Sequence, residues 1–316
     1  MKRIKVGIFL GGKEVGSKGW NAVRDLTLTY EKLGYDSIWL GDHLTRGVYR
    51  LECWTTLSAL STLTKSIRLG PLVLCNSFRN PSLLAKMGAT LDIISGGRLE
   101  FGIGAGWHQG EHEAYGIPFP KLSIRAAKLS EGLEIIKRMW TLERPSYKGK
   151  YYQIREAYCE PKPLQKPHPP ITVGGSGEKI MLKVVASHAD RCNFQCSVEE
   201  FQHKLKVLED YCSKIGRNLR EIEKSFFSDF ASIYANKKEL TDDMLSAYNL
   251  TDRSVPFSDW LKTVRLKNIL GTPEECLTRM RQYIDIGVTY FMLRFIDPLR
   301  KKEALKLFVD EVVKKL

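Results

Sequence analysis

The chain has 316 residues, 43% of them hydrophobic, which is enough to bury a large core in either two ordinary domains or one large α/β barrel. Lysine and arginine exceed aspartate and glutamate by 49 − 36 = 13, a basic balance that favours anionic partners. The basic residues are dispersed and no nucleic-acid-binding signature accompanies them, so a small anionic ligand ranks above nucleic acid. Seven cysteines without a C-x-x-C pair exclude a secreted disulfide framework.

Short apolar runs alternate with helical spacing along almost the whole chain. The opening MKRIKVGIFLGGKE has an apolar stretch too short for a signal peptide, and Ile4 to Leu10 reads as a first strand. No membrane-spanning run is evident, and the expectation is a soluble cytoplasmic protein. A helix follows from Trp20 to Leu33, a strand from Ser37 to Leu40, and a helix from Glu52 to Leu63. Ile67 to Leu74 and Pro81 to Ile94 repeat the unit. Leu99 to Gly104 is the fourth strand, and its helix carries Leu129, Leu133, Ile136 and Trp140 on one apolar face.

Ile171 to Val173 and Arg191 to Phe194 supply strands five and six. A seventh lies within Ser225 to Tyr234 and an eighth at Tyr290 to Phe295, before a final helix with Leu305, Phe308, Val309, Val312 and Leu316 on its buried side. Eight such units predict an α/β fold, a (β/α)8 TIM barrel formed by residues 1–316 as a single domain. A doubly wound sheet is the alternative, since strand order is not written in the periodicity. Two insertions interrupt the rhythm. Residues 145–170 suggest a small hairpin and a proline-stiffened connection, and residues 236–268 are polar and weakly periodic, suited to a mobile cover over one barrel end.

In a parallel barrel, ligand chemistry belongs at the C-terminal strand ends. Strand two ends in Asp42-His43, a carboxylate beside an imidazole. Such a pair can handle protons, although a satisfied pair at a strand end accounts for it more simply. Strand three ends in Cys75-Asn76. Strand four ends in Gly104-Ala105-Gly106-Trp107, where glycines leave space and the indole can wall it. Strand five runs through Gly174-Gly175-Ser176-Gly177 into a helix, a geometry suited to phosphate. An ordinary tight turn with Ser176 as the helix cap fits equally well.

The stretch His108-Gln-Gly-Glu111-His112 matches the H-x-x-E-H pattern of a zinc-peptidase family. Zinc would need both histidines on one helical turn and a third ligand. Gly106 and Gly110 disfavour a firm helix and no third ligand is evident, so the expectation is no metal. Cys192 and Cys196 are expected to be structural.

Taken together, these strand ends resemble the luciferase-like monooxygenase superfamily, most strongly its members that use the deazaflavin coenzyme F420. The matching stretches are "LGYDSIWLGDH", "RNPSLLAKMGATLDIISGGRLEFGIGAGW", "GIPFP", "KGKYY", "PPITVGGSGEKIMLKVVASHADRCNF" and "GTPEECLTRMRQYIDIGVTYFML", in the family's order and over nearly the whole chain. The resemblance implies a barrel with a flavin-like ring over the strand C-termini. It implies Asp42 and His43 as the catalytic pair, Cys75–Asn76 as the site of a non-prolyl cis peptide backing the ring, Gly104, Ala105, Gly106 and Trp107 as ring contacts, and Gly174, Gly175, Ser176 and Gly177 as the phosphate loop.

The implied activity is hydride transfer between C5 of coenzyme F420 and a small organic substrate, by a homodimer. An FMN-dependent monooxygenase of the same fold, or a non-catalytic flavin-binding protein, are the alternatives. Two departures limit the analogy. Some sugar-phosphate dehydrogenases of the superfamily carry glutamate where Trp107 stands. The methylene-tetrahydromethanopterin reductases differ across "GWHQGEHEAYG".

Overall fold

The computed structural model describes residues 3–11, 18–45, 51–249, 251, 253–299 and 301–316. Strands β1 (Lys5–Leu10), β2 (Ser37–Leu40), β3 (Arg68–Pro71), β4 (Leu74–Cys75) and β5 (Phe101–Gly104) come from the first half. Strands β8 (Ile171–Gly174), β9 (Arg191–Phe194), β10 (Glu223–Ile233) and β12 (Val288–Phe295) come from the second. All pair in parallel, in the order β3-β2-β1-β12-β10-β9-β8-β5-β4. A parallel bridge between Leu69 and Leu99 joins β3 to the entry of β5 and closes the ring. Since β3 and β4 are successive segments of one strand, the barrel has eight strand positions, as expected.

The helices form the outer layer: α1 (Gly19–Leu33), α2 (Cys53–Leu63), α3 (Pro81–Ile94), α4 (Gln109–Ala114), α5 (Leu122–Thr141), α6 (Met181–His188), α7 (Val198–Lys214), α8 (Lys237–Tyr248), α9 (Phe257–Leu266), α10 (Pro273–Asp285) and α11 (Lys302–Glu311). Local chemistry sets several boundaries. The Asn80 side chain caps α3 ahead of Pro81, while Ser197 with Glu200 and Thr272 with Glu275 form reciprocal capping boxes on α7 and α10. Among the described residues, no helix is long and apolar enough to cross a membrane.

The expected third strand breaks in the middle. The Leu72–Val73 peptide is cis, and the Val73 side chain packs where a Cβ on Gly104 or Gly174 would stand, 3.0 and 2.6 Å from its methyl carbons. The cis bond therefore lies at Leu72–Val73 and not at Cys75–Asn76. The 145–170 insertion contains the expected hairpin, β6 (Tyr147–Lys148) against β7 (Gln153–Ile154). The 236–268 insertion is more ordered than its composition suggested. It folds as α8 and α9 around Leu240, Met244 and Tyr234, and rejoins the sheet as β11 (Leu270–Gly271) beside the end of β10. Its apolar residues are sparse because they serve only this small cluster.

Every strand position contributes to one polar layer at the N-terminal end of the barrel. Glu100 is 2% exposed and bonds Arg68 at 2.5 Å and Arg191 at 2.6 Å. Arg191 also bonds Thr172 and reaches Glu223 at 2.8 Å, and Glu223 pairs with Lys5 at 2.7 Å. Lys5 and Arg191 lie over the Tyr290 ring, whose hydroxyl donates to Ser37.

Burial alone would raise the Glu223 pKa, but the charges of Arg191 and Lys5 outweigh it and hold it at about 2. A carboxyl depressed in the folded state contributes stability above its unfolded value, and that contribution is lost as pH falls through the folded one. The depression corresponds to about 3 kcal/mol at neutral pH. Glu223→Gln is therefore expected to lower Tm at pH 7 and to flatten its acid decline between pH 4.5 and 2.5, as calorimetry across that range would show. An unchanged acid limb would remove Glu223 from the stabilising chain.

Candidate active site

At the opposite end of the barrel, the strand termini surround two adjoining cavities. The wider, about 350 Å3, is lined by Phe9, Val73, Gly174, Asn193, Phe227 and Arg294, among others. The narrower, about 160 Å3, is lined by Asp42, Cys75, Phe78, Gly106, Glu111 and His112, among others. His43, Leu72, Val73 and Trp107 belong to both walls. The apolar floor of the wider cavity includes Phe9 and Phe227, packed edge to face at 5.3 Å.

Asp42 and His43 do not act as a bonded pair. Consecutive residues in extended chain face opposite ways, and the two side chains find different partners. Asp42 is 5% exposed and accepts two bonds from Arg79, at 2.7 and 3.0 Å, and one from the Cys75 peptide N–H at 2.9 Å. It thus ties the end of strand two to that of strand three. Arg79 also bonds Glu52 at 2.5 Å.

The carboxylate that holds His43 is Glu111, 1% exposed, with Oε2 at 2.9 Å from Nδ1. Its other oxygen accepts from the Thr45 peptide N–H at 3.3 Å. Burial opposes ionisation of Glu111, but the His43 hydrogen bond and charge, with Thr45 and His108, prevail and keep its pKa below the ordinary glutamate value. An ionised Glu111 accepts only, so Nδ1 of His43 carries the proton. Any proton His43 exchanges with a ligand then passes through Nε2.

The H-x-x-E-H stretch thus has a definite geometry. Contrary to the expectation from Gly106 and Gly110, a short helix does form, α4, with the His108 ring accepting from the Glu111 peptide N–H as its cap at 3.2 Å. His112 donates from Nδ1 to the His108 carbonyl at 3.0 Å, which leaves Nε2 as the acceptor for the Cys75 thiol at 3.6 Å. Burial pushes the Cys75 pKa up to about 11, so the thiol stays protonated and donates. Gly106 stands at φ +77°, and a Cβ there would meet Cys75 Sγ at 2.5 Å, so only glycine lets the turn lie on the thiol.

Of the remaining candidates, Gly104, Ala105, Gly106 and Trp107 follow the end of β5. Trp107 is 62% exposed and its ring stands edge to face with His43 at 5.7 Å. Asn76 turns away: its amide nitrogen donates to Tyr152, and its Oδ1 sits at 2.7 Å from where a Gly132 Cβ would be, on α5. The Asn76 side chain lines neither cavity.

Gly174 ends β8, and Gly175, Ser176 and Gly177 form an open turn with Gly175 at φ +123°. Helix α6 starts only at Met181 and lacks a side-chain cap, so Ser176 is not its cap. Asn193, Gln195, Asp229 and Arg294, which sequence reasoning did not single out, line the wider cavity from strands six to eight. Arg294 pairs with Asp229 at 3.0 Å. Their signal was their position at strand ends, which residue type alone does not mark as facing a cavity. The loop after strand one falls largely at residues 12–17, outside the described residues.

Holding His43 in one tautomer is the specific consequence of Glu111. In 15N-histidine-labelled protein, with only six histidines to resolve, His43 is expected to show a protonated Nδ1 at pH 8. Glu111→Ala is expected to convert it to the Nε2-protonated form, with His43→Ala identifying the signal. An unaltered tautomer in Glu111→Ala would refute the assignment.

Comparison with known proteins agrees with this architecture. A family model described as luciferase-like monooxygenase matches residues 4–290. An F420-dependent glucose-6-phosphate dehydrogenase of Microbacterium testaceum is 27% identical over 326 positions, spanning 94% of each chain. A coenzyme F420-dependent tetrahydromethanopterin reductase from Methanopyrus kandleri has the same fold, with a TM-score of 0.80 at 22% identity over 99% of each chain. A monooxygenase from Streptomyces bottropensis matches with a TM-score of 0.81, also at 22% identity and 99% coverage of each. The parallel barrel, the polar strand ends and a match over most of the sequence lead to one assignment: the chain belongs to the luciferase-like monooxygenase family and is an oxidoreductase.

Proposed function

We propose that this oxidoreductase uses coenzyme F420 to move a hydride between the deazaflavin C5 and a small organic substrate. The observation that carries the reading is the position of His43. Its ring lies in the wall shared by two cavities, held by a buried carboxylate, where one side chain can serve both a coenzyme and a substrate. Relatives spanning nearly the whole chain and named for F420 dependence support the choice of coenzyme.

The residues present fit such a group. The wider cavity falls in the range of small-ligand sites. It runs from an apolar floor to Gly174, where the open glycine turn begins. Val73, Trp107 and the backbone from Gly104 to Gly106 would hold the ring, and Gly174 to Gly177 the phosphate. When bound, the coenzyme supplies the hydride donor or acceptor.

Around it, Val73 and Trp107 orient the ring by contact, and Leu72, Phe9 and Phe227 exclude water from the floor. His43 takes or returns the substrate proton at Nε2, and Glu111 steadies the imidazolium that results. Asp42 keeps strands two and three in the arrangement that presents His43.

Fluorescence titration of the protein with oxidised F420 and, separately, FMN tests the reading. Saturation by F420 at concentrations where FMN does not bind is expected. Preference for FMN would replace hydride transfer with flavin monooxygenase chemistry. In His43→Ala, F420 affinity is expected to stay within about threefold while turnover, with a substrate found by screening F420 reduction, drops about 100-fold or more, the scale of a lost general acid–base group. Unchanged turnover would dismiss His43 from proton transfer.

A further inference from the structure

The barrel interior is apolar above its charged layer and turns charged again at its mouth. Trp39, Tyr290 and Met292 form a buried interior cluster, with Phe9, Leu72 and Phe227 packed against it. Side chains along a strand alternate between its two faces. The next inward positions after Met292 and Phe227 are therefore Arg294 on β12 and Asp229 on β10. Both line the wider cavity, with Arg294 Nη1 at 3.0 Å from Asp229 Oδ1 and side chains 23% and 35% exposed. The guanidinium also lies over the Phe230 ring, 5.4 Å from its centroid.

The backbone that carries the carboxylate is irregular and firmly held. From Ser228 to Ala231, β10 advances three residues while β12 advances two, from Leu293 to Phe295, so one extra residue bulges at Asp229 and Phe230. The Phe230 peptide N–H donates to Asn268 Oδ1 at 2.9 Å, and Ser228 Oγ donates to the Phe230 carbonyl at 2.7 Å. Asn268 is buried, and its Nδ2 donates to the Val264 carbonyl of α9 at 2.8 Å. A bulge at a barrel rim sets the aim of the side chain on it, and this one carries Asp229.

A partly exposed ion pair adds little to stability, so folding gives no reason to set two charges in a cavity floored by Phe9 and Phe227. Their position gives a better one. In the ring of eight strand positions, β10 stands four places from β4 in either direction, opposite the side that carries Val73. A coenzyme ring held by Val73, Trp107 and the backbone from Gly104 to Gly106 leaves the wall of β10 and β12 for the molecule that reacts with it.

That wall is selective through its charge balance. Among the described residues that line this cavity, Asp229 and Arg294 carry the only permanent charges, and these cancel. A hydroxyl both donates and accepts, so it can give its proton to Asp229 and take an N–H of Arg294 at once. An anion brought to Arg294 meets Asp229 at the same place, and a cation brought to Asp229 meets Arg294.

Resting on the F420 reading above, we infer that Asp229 and Arg294 determine substrate specificity: they take an uncharged, hydroxyl-bearing part of the substrate and reject an anionic or cationic one. This contact is separate from the carbon that exchanges the hydride.

The test uses three probes built on one cyclohexane ring, each with a hydroxyl beside a second group. That group is a hydroxyl in the trans diol, a carboxylate in the hydroxy acid and an ammonium in the amino alcohol. Affinities are measured by ligand-observed NMR at pH 7 on F420-saturated wild type, Asp229→Asn and Arg294→Gln. Wild type is expected to bind the diol about tenfold more tightly than either charged probe, the scale of one partly screened like-charge contact. Asp229→Asn is expected to raise the acid-to-diol affinity ratio about tenfold, and Arg294→Gln to raise the amine-to-diol ratio by a similar factor. A folding defect weakens all three probes alike and leaves the ratios unmoved.

Equal binding of acid and diol by wild type would overturn the inference, as would an unchanged ratio in either variant or the binding of no probe at all. Wild type that F420 does not saturate would overturn the coenzyme reading instead. The same ratios measured on the unloaded protein would then still decide the role of the pair.

Discussion

Glu100 between Arg68 and Arg191 is the contact on which the barrel is organised. Three charged groups at the N-terminal end of the strands sit where a TIM barrel ordinarily packs branched aliphatic side chains. Taking them from water costs several kcal/mol per ion, recovered only where every hydrogen-bonding group is satisfied in good geometry. Here the chain of partners passes through Thr172, Glu223 and Lys5 and is covered by Tyr290, itself bonded to Ser37. A slip of one strand by one residue would turn its member out of the layer and strand the rest. The layer therefore sets the register of all eight positions, and with it the height at which each strand ends on the far side.

That far side uses the same principle more sparingly. Asp42 joins two strand ends through Arg79 and a peptide N–H, while Glu111 reaches across from α4 to hold His43. Each carboxylate serves a different neighbour, although only one of them is adjacent to His43 in sequence. The Cys75 thiol and His112 close the turn between them, so that Gly106 and Trp107 are presented from a fixed base. The result is a rim around two cavities whose common wall contains the His43 imidazole. The charged pair Asp229–Arg294, carried on β10 and β12, lines the wider cavity at the same end.

Much of this was legible in the chain. Ser37–Leu40, Pro81–Ile94 and Arg191–Phe194 are bounded as their apolar runs and caps suggested, because hydrophobic periodicity and turn chemistry are local properties. The glycine turn after strand five and the imidazole at the end of strand two were also visible, since both rest on residue type at a strand terminus. Helix α4 was not, because a histidine side chain and a buried cluster offset the cost of Gly110. The two helices at 237–266 were obscured for a similar reason, with their apolar faces sized for a small private cluster.

The sequence by itself determined the alternation of strands and helices in eight units and the places where a ligand could meet backbone, since spacing and side-chain type dictate these locally, while the closing of those units into a ring is a tertiary property. Only the tertiary structure decided that Glu111, and not Asp42, holds His43, that the cis peptide lies at Leu72–Val73, and that Asp229 meets Arg294. It also decided that Glu100, Arg191 and Glu223 belong inside the barrel. Each of these joins residues from separate strands or helices. The partner of a charge is chosen by which side chains the closed ring brings within hydrogen-bonding distance, a property of the assembled fold that no local pattern contains.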